Sequence, residues 1–322
     1  MDIFTISDDR EFETEALRIF KYQAKNNAPY KRFLNFLQKD PEGISKSKDI
    51  PFLPVEFFKS YDILSTNSKI EQVFTSSGTT GSVQSKHFVT DLRIYQNSFK
   101  KGFELFYGNV EDYTILALLP GYLERKGSSL IYMVDHLINE TSSEHSGFYL
   151  DELKTLSELL KELDSKGEKI ILIGVTYALL DLIETYKFQL KNTIVMETGG
   201  MKGKRKELIR SELHEILGQG FGLQQVHSEY GMTELLSQAY SKGNGIFETP
   251  PWMKIIIRDT EDPFHLLEDG KTGGINIIDL ANINSCSFIA TQDLGRKIGD
   301  NKFEILGRFD HSDIRGCNLM VV

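Results

Sequence analysis

The chain has 322 residues, 40% hydrophobic and 26% charged, with a formal net charge of −9 at pH 7. That length can bury a large core and hold two or three domains of ordinary size, the balance is that of a globular protein, and the acidic charge argues against nucleic-acid binding, which rewards a basic surface. Two cysteines, Cys286 and Cys317, are too few for a disulfide framework or a cysteine-ligated zinc site; no apolar run reaches the length of a membrane span, and the N-terminus MDIFTISDDREFE lacks a signal-peptide pattern, so a cytoplasmic location is expected.

Residues 10–38 place Phe12, Ala16, Ile19 and Phe20, then Tyr30, Phe33, Leu34 and Leu37, at helical spacings broken by Asn-Asn-Ala-Pro. This predicts two amphipathic helices packed as a structural lid on the main body. The proline-punctuated stretch 50–58 (IPFLPVEFF) cannot be one regular helix and reads as a buried connector. From residue 71 the pattern alternates: helices are expected at 92–107, 127–139, 151–166, 176–187 and 204–217, with apolar strands at 113–119, 169–173 and 193–197 and a short one at 225–227. Strands separated by helices imply parallel crossovers and a sheet covered on both faces. Beyond residue 250, short strands at 253–257, 264–267, 274–280, 287–290 and 303–306, split by Asp-Gly, Thr-Gly-Gly and Gly-Asp turns, predict an antiparallel region. The resulting division is a helical segment 1–70, an α/β core 71–250, a β-rich subdomain 251–310 and a tail 311–322.

The stretch Phe74–Ser85, FTSSGTTGSVQS, follows a strand end and contains an unbroken run of Ser, Thr and Gly from Thr75 to Ser82. Such a segment is no core; its hydroxyls and amides can converge on an anion, with glycine permitting positive φ and close approach. A flexible linker is the plainer alternative, but a linker needs no Gly-Thr-Thr-Gly order. A Walker loop is excluded, because Gly-Lys-Ser/Thr is missing. Two further glycine-bearing loops follow expected strand ends, Glu197-Thr198-Gly199-Gly200 and Ser228–Glu234, so three loops can line one crevice at the carboxyl ends of a parallel sheet.

Together with Tyr230-Gly231-Met232-Thr233-Glu234, Thr291-Gln292-Asp293-Leu294-Gly295 and Gly307-Arg308-Phe309-Asp310, the Thr75–Gly81 loop resembles the motif series of the adenylate-forming superfamily. IPFLPVEFF, LLPGYLERKGSSLIYM and the terminal Asp313-Ile314-Arg315-Gly316-Cys317-Asn318 look most like the LuxE-type acyl-protein synthetases, with phenylacetate–CoA ligases as nearer cousins than ordinary acyl-CoA synthetases. The resemblance implies the N-terminal domain of that superfamily, parallel sheets flanked by helices plus a C-terminal β-rich subdomain. It implies an ATP- and Mg²⁺-dependent ligase that converts a carboxylic acid, a fatty acid first of all, to acyl-AMP and transfers the acyl group to a thiol.

By the same resemblance Thr75, Ser76, Ser77, Gly78, Thr79, Thr80 and Gly81 would hold the triphosphate, Thr233 would touch the α-phosphate and Glu234 would hold Mg²⁺. Asp293 and Arg308 would meet the ribose, Gly199 and Gly200 would leave room for adenine, and Tyr230 would stack on it. Each has a plainer reading: Asp293-Leu294-Gly295 as a turn, Glu234 as a solvated helix residue, and Arg308 paired with Asp310 on the surface. The joint order of the motifs favours function for all of them.

Two departures stand out. Where relatives have Pro and Lys after the second loop glycine, this chain has Val83 and Gln84, with Lys86 two residues on as a replacement cation; and only twelve residues follow Asp310, so the mobile C-terminal domain of the superfamily is expected to be largely absent. LuxE-type enzymes pass the acyl group through a C-terminal cysteine to a reductase partner, which makes Cys317, beside Arg315, the candidate carrier. Coenzyme A or a carrier protein is the alternative acceptor, and a small buried hydrophobe is the plainer role for Cys317. Cys286 reads as structural. The histidines show no metal spacing; His87 and His227 could face the crevice, though core or ordinary polar roles are commoner. Arg125 could meet the substrate carboxylate, and Leu118, Leu119, Tyr122, Leu130 and Tyr132 could shape an acyl pocket or simply core. A different class of function is a nucleotide-binding interaction subunit without turnover.

Overall fold

A computed structural model describes residues 2–77, 83–120, 127–150, 152–199 and 208–308. The first long helix, α1 (Asp9–Asn26), begins where the Asp8 side chain accepts the Glu11 amide, and buries Phe12, Ala16, Ile19 and Phe20. Asn27 ends it and caps α2 (Ala28–Phe36) through the Tyr30 amide. Both helices are pinned to residues 282–287: the fully buried Gln23 amide donates to the carbonyls of Asn282 and Ile283, and Asn27 Nδ2 donates to the Ser285 carbonyl at 2.9 Å. The proline-rich connector then forms β1 (Leu53–Pro54), paired in parallel with Ile289 and Ala290, and a single helical turn, α3 (Phe57–Ser60).

Strands β2 (Gln72–Thr75) and β3 (Lys86–Val89) form an antiparallel hairpin. The α/β alternation follows: α4 (Leu92–Tyr107), β4 (Thr114–Leu118), α5 (Ser129–Glu140), β5 (Gly147–Phe148), α6 (Leu153–Ser165), β6 (Ile170–Val175), α7 (Thr176–Thr185), β7 (Thr193–Thr198), α8 (Arg210–Phe221) and β8 (His227–Tyr230). All residues of β4 and β6 are buried, so both faces of this part of the sheet are covered, as parallel strands require. Then come β9 (Ala239–Ser241), β10 (Ile246–Glu248), β11 (Met253–Arg258), β12 (Thr272–Asp279), β13 (Phe288–Gly299) and β14 (Lys302–Arg308).

Twelve strands among the described residues share one sheet, in the order β11-β12-β13-β14-β10-β9-β8-β7-β6-β4-β5, with β1 beside β13. From β5 to β8 the pairing is parallel; from β8 onward it is antiparallel. This is the α/β architecture expected from the sequence, helix-flanked parallel strands followed by an antiparallel β-rich part.

The differences are local. The strand expected at 225–227 lies at His227–Tyr230, which puts Tyr230 on the strand rather than in the loop after it. The helix expected over 204–217 starts, among the described residues, at Arg210 and runs to Phe221, where Gly222 ends it at φ 77°. Residues 264–267 form only an isolated bridge between Leu266 and Arg258. The expected strand 287–290 extends to Gly299, so Asp293-Leu294-Gly295 lies inside a strand and is not a turn. A β-carbon on Gly295 would meet the Glu304 carbonyl and Ile275 Cδ1 at 2.5 Å, so this glycine serves close approach between strands.

Candidate active site

The Ser/Thr/Gly loop leaves β2 and returns into β3, with Thr75 opposite Lys86 in register. Its base is closed by two hydrogen bonds: the Ser85 amide donates to Ser76 Oγ at 2.9 Å and the Ser76 amide to the Ser85 carbonyl at 3.1 Å. The Thr75 amide donates to the Gly127 carbonyl at 2.8 Å, which ties the loop to the segment before α5. Ser77 and Lys86 are exposed at this base. Gly78, Thr79, Thr80 and Gly81 lie outside the described residues, as do Tyr122, Arg125, Gly200, Asp310, Arg315 and Cys317.

Tyr230, the last residue of β8, donates its hydroxyl to Asp293 Oδ2 at 2.7 Å. Asp293 on β13 is paired in register with Arg308 on β14, whose Nε lies 3.3 Å from Asp293 Oδ1. Burial pushes the Asp293 carboxyl above the usual carboxylate range, against the Tyr230 hydroxyl and the charges of Arg308, Arg210 and Arg258. The side chain of Arg308 is 68% exposed, so it reaches into solvent at the crevice while its pairing partner is buried. The Tyr230 ring packs edge-on against Phe303 and Phe247, and the Arg210 guanidinium lies 4.7 Å over Phe247.

The segment after β8 is a loop, not a helix, and it takes Glu234 to 5% exposure. Burial pushes that carboxyl up, opposed by the Ser85 side chain and by the charges of Arg308 and Lys59. Glu234 therefore sits between the return end of the Ser/Thr/Gly loop and the Asp293–Arg308 pair. The backbone of this loop is held from outside. His87 Nδ1 lies 2.9 Å from the Thr233 carbonyl and its Nε2 lies 2.9 Å from Ser285 Oγ. The carbonyl can only accept, so Nδ1 carries the proton and Nε2 accepts from Ser285. Burial lowers this imidazole to about 4, keeping it neutral. Asn282 Nδ2 donates to the Glu234 carbonyl at 2.8 Å, and Asp279 Oδ2 accepts the amides of Leu236 and Ser237 at 2.9 Å each.

Gly199 ends β7 with φ 69°, and Thr176 Oγ1 donates to its carbonyl at 2.8 Å. Because Thr198 is in register with Glu229, Gly199 emerges next to Tyr230. Of the residues singled out in the sequence, the structure brings Tyr230, Asp293 and Arg308 together, with Gly199 beside Tyr230, and sets Thr233 and Glu234 against the β2–β3 hairpin through His87 and Ser85; Thr75, Ser76 and Lys86 lie at the base of that hairpin. His87 clamps the motif loop, while His227 is half-buried against the Tyr107 hydroxyl. His214 faces Ser228 and Glu197. Cys286 is fully buried with its thiol pushed up to about 12, an inert core residue as expected. Asp279, Asn282, Lys59 and Arg210 carry no signal in the sequence, since each reaches the site only through tertiary contacts. Leu118 and Leu119 are fully buried core. A separate concavity lined by Lys161, Lys187, Phe188 and Ile216 holds none of these residues.

The model of the family "Acyl-protein synthetase, LuxE" matches residues 121–322. The chain belongs to the LuxE acyl-protein synthetase family. As a LuxE-family member it is an adenylate-forming ligase, and solved structures share the fold. A 2-hydroxyisobutyryl-CoA ligase in complex with 2-HIB-AMP and CoA superposes with a TM-score of 0.70 at 12% identity, over 94% of this chain and 70% of that one. ATP-bound MatB from Rhodopseudomonas palustris gives a TM-score of 0.55 at 14% identity, over 82% of this chain and 49% of that one, so this LuxE-family chain aligns with only about half of MatB. No curated protein matches. Among the described residues no helix is long and apolar enough to cross a membrane.

Proposed function

We propose that this LuxE-family protein uses ATP to activate a carboxylic acid, a fatty acid in the first instance, as acyl-AMP and then passes the acyl group to a thiol. In the first step a carboxylate oxygen attacks the α-phosphorus, the bond to the bridging oxygen of the β-phosphate breaks, and pyrophosphate leaves. In the second a thiolate attacks the acyl carbon and AMP leaves. The observation that carries this reading is the contiguity of Tyr230, Asp293 and Arg308 with Glu234 and the closed base of the Ser/Thr/Gly loop.

In that reading Asp293 accepts from the ribose hydroxyls, with Arg308 beside it, and Tyr230 and Gly199 bracket adenine. Thr233 and the loop hydroxyls of Thr75, Ser76 and Ser77 meet the phosphates, and Lys86 and Lys59 supply positive charge at the loop base. Among the described residues no group of three or more His, Cys, Asp or Glu could hold a metal. One carboxylate nonetheless suits Mg²⁺, which is bound by one or two carboxylates together with substrate phosphates and water. Glu234 is that carboxylate, and the ion would neutralise charge on the leaving pyrophosphate. The acceptor thiol is assigned to Cys317, with a partner protein as the next recipient.

Acid-dependent exchange of pyrophosphate into ATP, tested with a panel of carboxylic acids, checks the first step; a folded protein giving no exchange with any acid overturns it. Binding of ATP by calorimetry without exchange would instead mark an interaction subunit. For the second step, Cys317→Ser should still make acyl-AMP but lose a hydroxylamine-sensitive acyl-protein band. An unchanged band removes Cys317 as carrier.

A further inference from the structure

Strand β13 is not paired evenly with β12. Asn276 faces Ala290 and Gly274 faces Leu294, so one residue of β12, Ile275, stands opposite three of β13, namely Thr291, Gln292 and Asp293. A bulge of this kind interrupts the ladder and re-aims a side chain, and here it ends at the residue whose carboxyl meets Tyr230 and Arg308. Two carbonyls at the bulge are taken by Arg258, the last residue of β11, which is 6% exposed and paired in register with Gly274. Its Nη1 donates to the Ile275 carbonyl and to Asn276 Oδ1 at 2.8 Å each, and its Nη2 donates to the Thr291 carbonyl at 2.5 Å. Gly274 makes room for it, since a β-carbon there would stand 2.6 Å from the guanidinium carbon.

One further link ties the guanidinium to Asp293. Thr291, whose carbonyl Arg258 holds, donates its hydroxyl to the Ile275 carbonyl at 2.9 Å and accepts the Asp293 amide on the same oxygen at 3.1 Å. Gln292 between them donates to Glu56 Oε1 at 2.5 Å. Burial lowers the Arg258 guanidinium to about 10, so it stays charged at neutral pH, and its charge is among those that oppose the rise of the Asp293 carboxyl. Three acceptors spread over β12 and β13 call for a rigid fork of donors. A lysine ammonium carries the same charge as a single point and does not reproduce that fork.

We infer that Arg258 is a positioning residue for the nucleotide: it shapes the bulge that aims the Asp293 carboxyl at the ribose hydroxyls. This inference rests on the ribose role given to Asp293 above. The test is calorimetric titration of the full chain with ATP and with 2′,3′-dideoxy-ATP, in wild type, in Arg258→Lys and in Gly274→Ala, whose added carbon crowds the guanidinium out without removing its charge. Wild type should bind ATP about tenfold or more tighter than the dideoxy nucleotide, because a site that hydrogen-bonds hydroxyls rejects the analogue lacking them. Arg258→Lys should cut that preference severalfold by weakening ATP alone, whereas a merely structural loss would weaken both nucleotides alike. Near-ultraviolet circular dichroism checks the fold; if Arg258→Lys does not fold, Gly274→Ala, expected to show the same fall, decides. A preference unchanged in a folded variant overturns the positioning role and leaves the role of Asp293 standing. Equal binding of the two nucleotides by wild type overturns the ribose role, and this inference with it. No binding of ATP at all overturns the ATP-dependent reading itself.

Discussion

His87 Nδ1 and the carbonyl of Thr233 are 2.9 Å apart across 146 positions of sequence. This bond fastens the strand that ends the Ser/Thr/Gly loop to the loop that carries Thr233 and Glu234, so the two halves of the site are positioned by one neutral imidazole. His87→Ala should lower unfolding free energy by about 1–3 kcal/mol, the cost of orphaning a buried carbonyl and hydroxyl, with kcat falling more than the KM for ATP rises. The sign of the pH effect follows from the depressed imidazole. Between an ordinary value of 6.5 and a folded value of about 4 the unfolded chain binds the extra proton, so stability is lost as pH falls through that window. Thermal melts across it should show a shallower acid decline for His87→Gln than for wild type; His227, also lowered to about 4, keeps part of the slope in both.

Asp293 shares its carboxyl between the Tyr230 hydroxyl and Arg308. Asp293→Asn should raise the KM for ATP by about tenfold, and Tyr230→Phe by less. In a double-mutant cycle the two should be non-additive by about 1 kcal/mol, because each variant disrupts the same bond. Strict additivity in titrations of nucleotide binding would separate the two residues.

Glu234 is buried with its carboxyl above the usual range, so it costs the fold something to keep it ionised. Glu234→Ala should abolish Mg²⁺-stimulated exchange and leave the melting temperature within a few degrees of wild type, about what a change of 1 kcal/mol or less produces in a chain of this size. Retained Mg²⁺ dependence would contradict the role proposed for it.

Glu229 gives the opposite pH sign to His87. Its folded value of about 7 exceeds the ordinary 4.5, so the native state holds the extra proton and stability is lost as pH rises through that interval. Glu229→Gln removes the slope: it should match wild type near pH 4 and exceed it near pH 8 by on the order of 2 kcal/mol. Asp279, raised to about 6, preserves a smaller decline of the same sign. Urea titrations at the two pH values check this.

Asp164 provides a contrast far from the site. Its carboxylate accepts the amides of Lys191 and Asn192 and the Thr193 hydroxyl, ordering the entry to β7 at the end remote from Gly199. Asp164→Ala should cost about 2–4 kcal/mol in urea unfolding and leave the KM for ATP unchanged.

The spacing of apolar residues and the motif order settle much of this protein before any coordinates. The pattern over 92–107 predicts a helix and Leu92–Tyr107 is one; the apolar runs at 169–173 and 193–197 become β6 and β7 within a few residues. These signals are local, set by the helical and strand periods within one segment. The order of Thr75–Gly81, Tyr230–Glu234, Thr291–Gly295 and Gly307–Asp310 likewise carries the resemblance to the adenylate-forming superfamily, and IPFLPVEFF, LLPGYLERKGSSLIYM and the terminal Asp313–Asn318 carry the likeness to the LuxE type. What needs the tertiary structure is contact between segments. The plainer alternative for Asp293, a turn, falls only when β13 is seen to run on to Gly299, since a glycine that marks a bend and one that admits a neighbouring strand look alike in sequence. The plainer alternative for Glu234, a solvated helix residue, falls only when its burial and the Asn282, Asp279 and His87 clamps on its loop are in view. Arg258 carries no local signal at all: its contacts come from Gly274, Ile275 and Thr291 meeting around one guanidinium, an arrangement that only the register of β11, β12 and β13 creates.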